Sequence, residues 1–87
     1  MDWPEWWLWE LDLASPHLAK RMLDRGFNDL DLRQMLEQAV DLRPNHEPGR
    51  WVVETKWKDV PWEVIVEPLN HEQRLLVLTA YALEPPR

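Results

Sequence analysis

Along residues 6–13 the apolar and polar positions alternate, with Trp7, Trp9, Leu11 and Leu13 on one side and Trp6, Leu8, Glu10 and Asp12 on the other. A period of two with aromatic enrichment predicts a strand. The period then changes. Ser15-Pro16 supplies an N-cap followed by proline at the first helical position, and Gly26 stands where a left-handed cap would end a helix. A helix is therefore predicted over about residues 16–25, burying Leu18, Ala19, Met22 and Leu23. A second helix, over about 28–41, opens on Asn28 with Asp31 three residues on, an approximate capping box, and Phe27 placed to staple onto Leu32. Leu32, Met35, Leu36, Ala39 and Val40 form its apolar stripe. Arg43 to Gly49, broken by two prolines, reads as a loop.

Three apolar runs follow, at 50–57, 62–67 and 74–82, and predict three strands. Placing Trp57 opposite Trp62, Thr55 opposite Val64 and Val53 opposite Val66 matches one face of the first pair and opposes Lys56 to Glu63 on the other. The last run is nearly continuously apolar, as expected of a central strand covered on both faces. Pro61 and Pro68 bracket the middle strand, where missing amide donors do least harm. The order strand, helix, helix, strand, strand, strand predicts a single α+β domain over residues 1–87. Its mostly antiparallel sheet takes the first strand beside the last and packs both helices on one face. The other face is expected to carry Val52, Glu54, Lys56, Glu63, Ile65 and Glu67.

Composition narrows what such a domain can do. The 87 residues allow one modest core, and the absence of cysteine excludes disulfides and thiolate metal sites. Seven tryptophans supply much of the apolar surface. No run approaches the roughly 20 apolar residues of a membrane span, and Met1-Asp2-Trp3-Pro4-Glu5 lacks a basic leader, so a cytoplasmic protein with no membrane partner is expected. Sixteen acidic against ten basic residues give a net charge of -6, which offers little long-range attraction to a polyanion. An RNA-directed function then requires segregated cations. Lys20, Arg21 and Arg25 cluster, with Arg33, Arg43 and Arg50 further on.

On a helix, His17, Arg21 and Arg25 share a face, setting an imidazole beside two guanidinium groups. Metal-independent RNA cleavage needs a base for the 2′-hydroxyl, an acid for the leaving oxygen and cations for the phosphate. His17 fits either of the first two needs, Arg21 and Arg25 the last, and Glu54 or Glu63 a complementary carboxylate. Arg50 offers a second phosphate contact, and Thr79 and Tyr81, on one face of the last strand, offer hydroxyls to an RNA phosphate. Structural roles stand beside these: ion pairs of Arg21 and Arg25 with sheet carboxylates, and ordinary strand packing for Thr79 and Tyr81. Trp3, Trp6, Trp7 and Trp9 sit among acids, a setting better suited to a core or a homodimer or partner interface than to stacking on nucleobases. His46 and His71, each beside a single glutamate, lack metal-ligand spacing, and no cofactor motif is present.

The segment His17-Leu18-Ala19-Lys20-Arg21-Met22-Leu23-Asp24-Arg25-Gly26, with Val77-Leu78-Thr79-Ala80-Tyr81, resembles the RelE/ParE-like toxins of the barnase, EndoU, colicin and RelE ribonuclease fold. It is most similar to small bacterial proteins with a His-x3-Arg-Met-x2-Arg-Gly helix. The likeness runs from about Trp9 to Tyr81. It implies RNA cleavage or toxin–antitoxin biology, with RNA and an antitoxin as partners. The acidic balance departs from the strongly basic ribosome-dependent members.

Overall fold

The computed structural model describes residues 2–83. Five strands and two helices follow one another as β1 (Glu10–Asp12), α1 (Pro16–Arg25), α2 (Asp29–Glu37), β2 (Asp41–Pro44), β3 (Trp51–Trp57), β4 (Val60–Leu69) and β5 (Arg74–Ala82). The sheet order is β1-β5-β4-β3-β2, antiparallel except where β1 runs parallel to β5. Both helices pack on one face. Leu18, Leu32, Met35 and Leu36, with Phe27 between the helices, meet Val53, Trp62, Val64, Val66, Leu75, Val77 and Ala80 of the sheet. This is the expected α+β class.

Both helices are fixed by their caps. The Ser15 hydroxyl accepts from the Leu18 amide, Pro16 opens α1, and Gly26 closes it in the left-handed region at φ 69°. The Asn28 and Asp31 side chains accept from each other's amides at 2.9 and 3.0 Å, a complete capping box. Burial on α1 is narrower than the pattern suggested. Leu18 is fully buried and Met22 half-buried, while Ala19 is exposed and Leu23 is 86% exposed.

Four expectations are corrected. Residues 5–8 form a 3-10 turn, not the start of a strand, because the Trp7 amide bonds back to the Pro4 carbonyl at 3.0 Å. Only Glu10–Asp12 pair with β5. Helix α2 stops at Glu37, where the Met35 carbonyl accepts both the Gln38 amide at 3.2 Å and the Thr55 hydroxyl of β3. Val40, expected in the helical stripe, is 65% exposed and gives its amide to the Glu54 carbonyl, which starts β2. Asp41–Pro44 is thus an edge strand where a helix end and a loop were expected. Finally, β3 and β4 pair as Thr55 with Trp62 and Val53 with Val64, two residues from the expected register. A two-residue slip keeps every side chain on its face but sets Glu54 opposite Glu63 and Lys56 opposite Pro61.

The hairpin turn explains that register. Lys58 and Asp59 form a two-residue connection with φ 52° and 62°, the doubly left-handed geometry that matches strand twist but favours Asn-Gly. Phe27, Trp57 and Trp62 pack edge-on at its base, with ring centroids 5.3–6.3 Å apart, and hold the turn in place. Asp59→Gly is therefore expected to raise stability by about 0.5–1 kcal/mol, read as a higher urea midpoint at unchanged slope.

Strand β5 is an interior strand between β1 and β4, yet only helix-facing residues of it are fully buried, whereas Leu76 and Leu78 are half-buried. Its pairing with β4 shifts between Ile65 and Val66, leaving Leu78 as an extra residue. The Ser15 hydroxyl donates to the Leu78 carbonyl at 3.1 Å. That bond docks the start of α1 on the bulge.

Candidate functional site

The sheet face turned away from the helices carries an array of charged side chains. Arg43, on β2, reaches across β3 to both facing carboxylates, pairing with Glu54 and donating to Glu63 Oε2 at 2.7 Å. The Tyr81 hydroxyl donates to the other oxygen of Glu63 at 2.6 Å. Arg50 pairs through Nε with Glu67 at 3.2 Å, and Arg74 lies 3.8 and 3.6 Å from Glu10 and Asp12. The like-charged pair created by the register is thus neutralised by a strand that the sequence pattern hid.

Glu63 is only 9% exposed, and burial pushes its carboxyl up. The bonds from Arg43 and Tyr81, with the charge of Arg43, outweigh burial and hold it below the usual carboxylate range. The same contacts raise Arg43, chiefly through its bond to Glu63. Burial, then the bond to Glu63, pushes the Tyr81 phenol up to about 12. Because Tyr81 is the sole tyrosine, its ionisation can be followed by phenolate absorbance. The midpoint is expected near pH 12, and somewhat lower in Glu63→Gln, which removes the facing charge but leaves the burial. A phenol whose folded value is raised contributes stability below pH about 10, lost as pH rises through the folded value.

Beside this network lies an open cleft of about 470 Å³, lined by His17, Asn45, His46, Glu47, Arg50, Ile65, Leu78 and Thr79. Four separate segments build it. His17 comes from the first turn of α1, held by the Ser15 bond to the bulge that also places Leu78 and Thr79. His46 comes from the loop between β2 and β3. That loop is closed by the Asn45 amide to the Arg50 carbonyl at 2.9 Å and the Arg50 amide to the Glu47 carbonyl at 3.2 Å. The Asn45 side chain also accepts from the Glu47 amide at 3.0 Å, and Gly49 makes the turn at φ 84°. Glu67 engages Arg50 through Nε, and the terminal nitrogens of Arg50 have no hydrogen-bonding partner among the described residues.

Of the residues singled out from the sequence, His17, Arg50 and Thr79 meet in this cleft. Arg21 and Arg25 continue along α1 beyond it and have no carboxylate within 4.0 Å among the described residues, so the expected ion pairs with the sheet do not form. Glu54 and Tyr81 belong to the Arg43 network and do not line the cleft. His46 is the residue that the sequence reading passed over as an isolated loop histidine. Its signal was the return of the chain at Pro48-Gly49, legible only once β2 is known to pair with β3. The tryptophans mostly face inward: Trp6, Trp7 and Trp9 pack against the core, Trp3 lies 4.6 Å from Trp7 and Trp6 lies 5.5 Å from Trp51, between ring centroids. Trp7 and Trp9, with Leu11, Leu36 and Leu75, wall a groove of about 220 Å³ with Arg33 and Glu37.

Among the described residues no group of three or more His, Asp or Glu side chains could hold a metal ion, and no helix is long and apolar enough to cross a membrane. Comparisons with protein-family models, with curated proteins and with solved structures give no match.

Proposed function

We propose that the cleft is a metal-independent ribonuclease site in a RelE-like, toxin-like protein that acts on cytoplasmic RNA. The observation that carries this reading is the meeting of two imidazoles, a guanidinium and a hydroxyl, from His17, His46, Arg50 and Thr79, in one open cleft. Imidazole both accepts and donates protons near neutrality, so the pair fits the two proton transfers of RNA cleavage. One ring takes the proton of the 2′-hydroxyl as that oxygen attacks phosphorus. The other, protonated, gives its proton to the 5′-oxygen as the phosphorus–oxygen bond breaks. Arg50, oriented by Glu67, meets the charge that grows on the phosphate, and Thr79 donates a hydrogen bond beside it. The resemblance of the α1 and β5 motifs to the RelE/ParE-like toxins supports the same reading. The test is cleavage of a single-stranded RNA in the presence of chelator, with growth inhibition on expression. Absence of both from the wild type would sink it.

A second reading, self-association through the N-terminal segment, is favoured by Leu8, which is 86% exposed beside the tryptophans. If it is right, the wild type sediments as a dimer and Leu8→Ser as a monomer. A monomeric wild type ends that reading.

A further inference from the structure

The six arginines of the described chain fall into two groups. Arg43, Arg50 and Arg74 are each committed to carboxylates on the open sheet face. Arg21, Arg25 and Arg33 have none within 4.0 Å among the described residues, and Asp24, although on α1, pairs with neither Lys20 nor Arg21. In a chain of net charge -6, Arg21 and Arg25 are thus a local concentration of positive charge without a carboxylate partner among the described residues. Two of the three lie on one stripe of α1, and that stripe begins at His17, which lines the cleft.

Four residues of helix advance by about 6 Å, so His17, Arg21 and Arg25 are spaced like successive phosphates of an extended single strand. The line is one side chain wide, with Lys20 next to it and Asp24 as the only acid on α1. A single line of cations matches one phosphate backbone and offers nothing to a second.

Resting on the ribonuclease reading of the cleft, we propose that α1 is a track for single-stranded RNA, with the phosphates on one side of the cleaved bond seated on Arg21 and Arg25. These two arginines bind substrate length and do not take part in the bond-breaking step. Their removal raises KM for long substrates and leaves kcat within about twofold, whereas loss of a cleft histidine acts on kcat.

The track can be tested without turnover, by fluorescence anisotropy with 2′-O-methyl dinucleotides and hexanucleotides, which lack the attacking hydroxyl. The wild type should bind the hexanucleotide more tightly, with Arg21→Ala/Arg25→Ala losing that advantage while its dinucleotide affinity stays within about twofold. The slope of log affinity against log salt should become shallower by about 0.7 per arginine removed. Arg33→Ala, which removes the same charge from α2, should behave as the wild type. Arg25 is exposed and Arg21 half-buried, alanine is the strongest helix former, and circular dichroism checks the fold of the double variant. The proposal is overturned if the double variant keeps the length advantage, if Arg33→Ala loses it equally, or if the wild type shows none. A wild type that binds by length yet never cleaves supports the track and removes the ribonuclease reading.

Discussion

Arg43→Ala is expected to destabilise the domain by about 2–3 kcal/mol at neutral pH, measured by urea unfolding. The guanidinium bridges Glu54 and Glu63 where they face each other across β3 and β4, and Glu63 is nearly buried. Removing the arginine leaves a desolvated carboxylate with one neutral donor, Tyr81, and a like charge opposite. The partial exposure of Arg43 places the cost at the lower end of the range for broken buried pairs. Adding Glu63→Gln should recover most of the loss, because the amide can still accept from Tyr81 without carrying charge.

The pH dependence has a definite sign. In the wild type the Glu63 carboxyl is held below its unfolded value, so its contribution is complete above about pH 4.3 and is lost as pH falls through the lower folded value. In Arg43→Ala the stabilising cation is gone and burial raises the carboxyl instead. The gap between the two proteins should therefore narrow as pH is lowered from 7 toward 3, roughly. A gap independent of pH would mean that Arg43 acts through packing of its stem and not through charge.

His17→Ala and His46→Ala are each expected to lower the rate of RNA cleavage by about 100-fold or more, the ordinary worth of a positioned acid or base. The double variant should fall far short of the product of the two, since acid and base serve one transition state. His71→Ala is the control. That residue lies in the exposed turn between β4 and β5, outside the cleft, and its loss should leave the rate unchanged. Equal activity in His46→Ala would remove the two-imidazole mechanism while leaving His17 open to work with another partner.

Much of the architecture is legible because caps and faces are local. Ser15, Pro16 and Gly26 mark the ends of α1, Asn28 with Asp31 marks the start of α2, and the alternation of residues 51–57 assigns faces correctly. What escaped the sequence is decided by pairing. Asp41-Leu42-Arg43-Pro44 holds a proline, two charges and one apolar side chain, and is extended because β3 offers it amides and carbonyls. The Lys58-Asp59 turn carries no glycine, so nothing local distinguishes the true register from one two residues away. The candidate site was half legible for the same reason. The helical spacing of His17, Arg21 and Arg25 is a property of one element, but the company of His17, His46 and Thr79 is a property of the finished sheet.

Strand β5, held between β1 and β4, follows every other element of the described fold in the chain. Until β5 is synthesised, β1 has no neighbour, β4 has one bare edge, and the bulge that seats Ser15 does not exist. A chain released early, or nicked ahead of Arg74, carries every residue of the helical stripe but lacks Leu78 and Thr79 and the anchor for His17. The cleft is thus assembled only after β5 has been made, and a copy lacking that strand lacks the cleft.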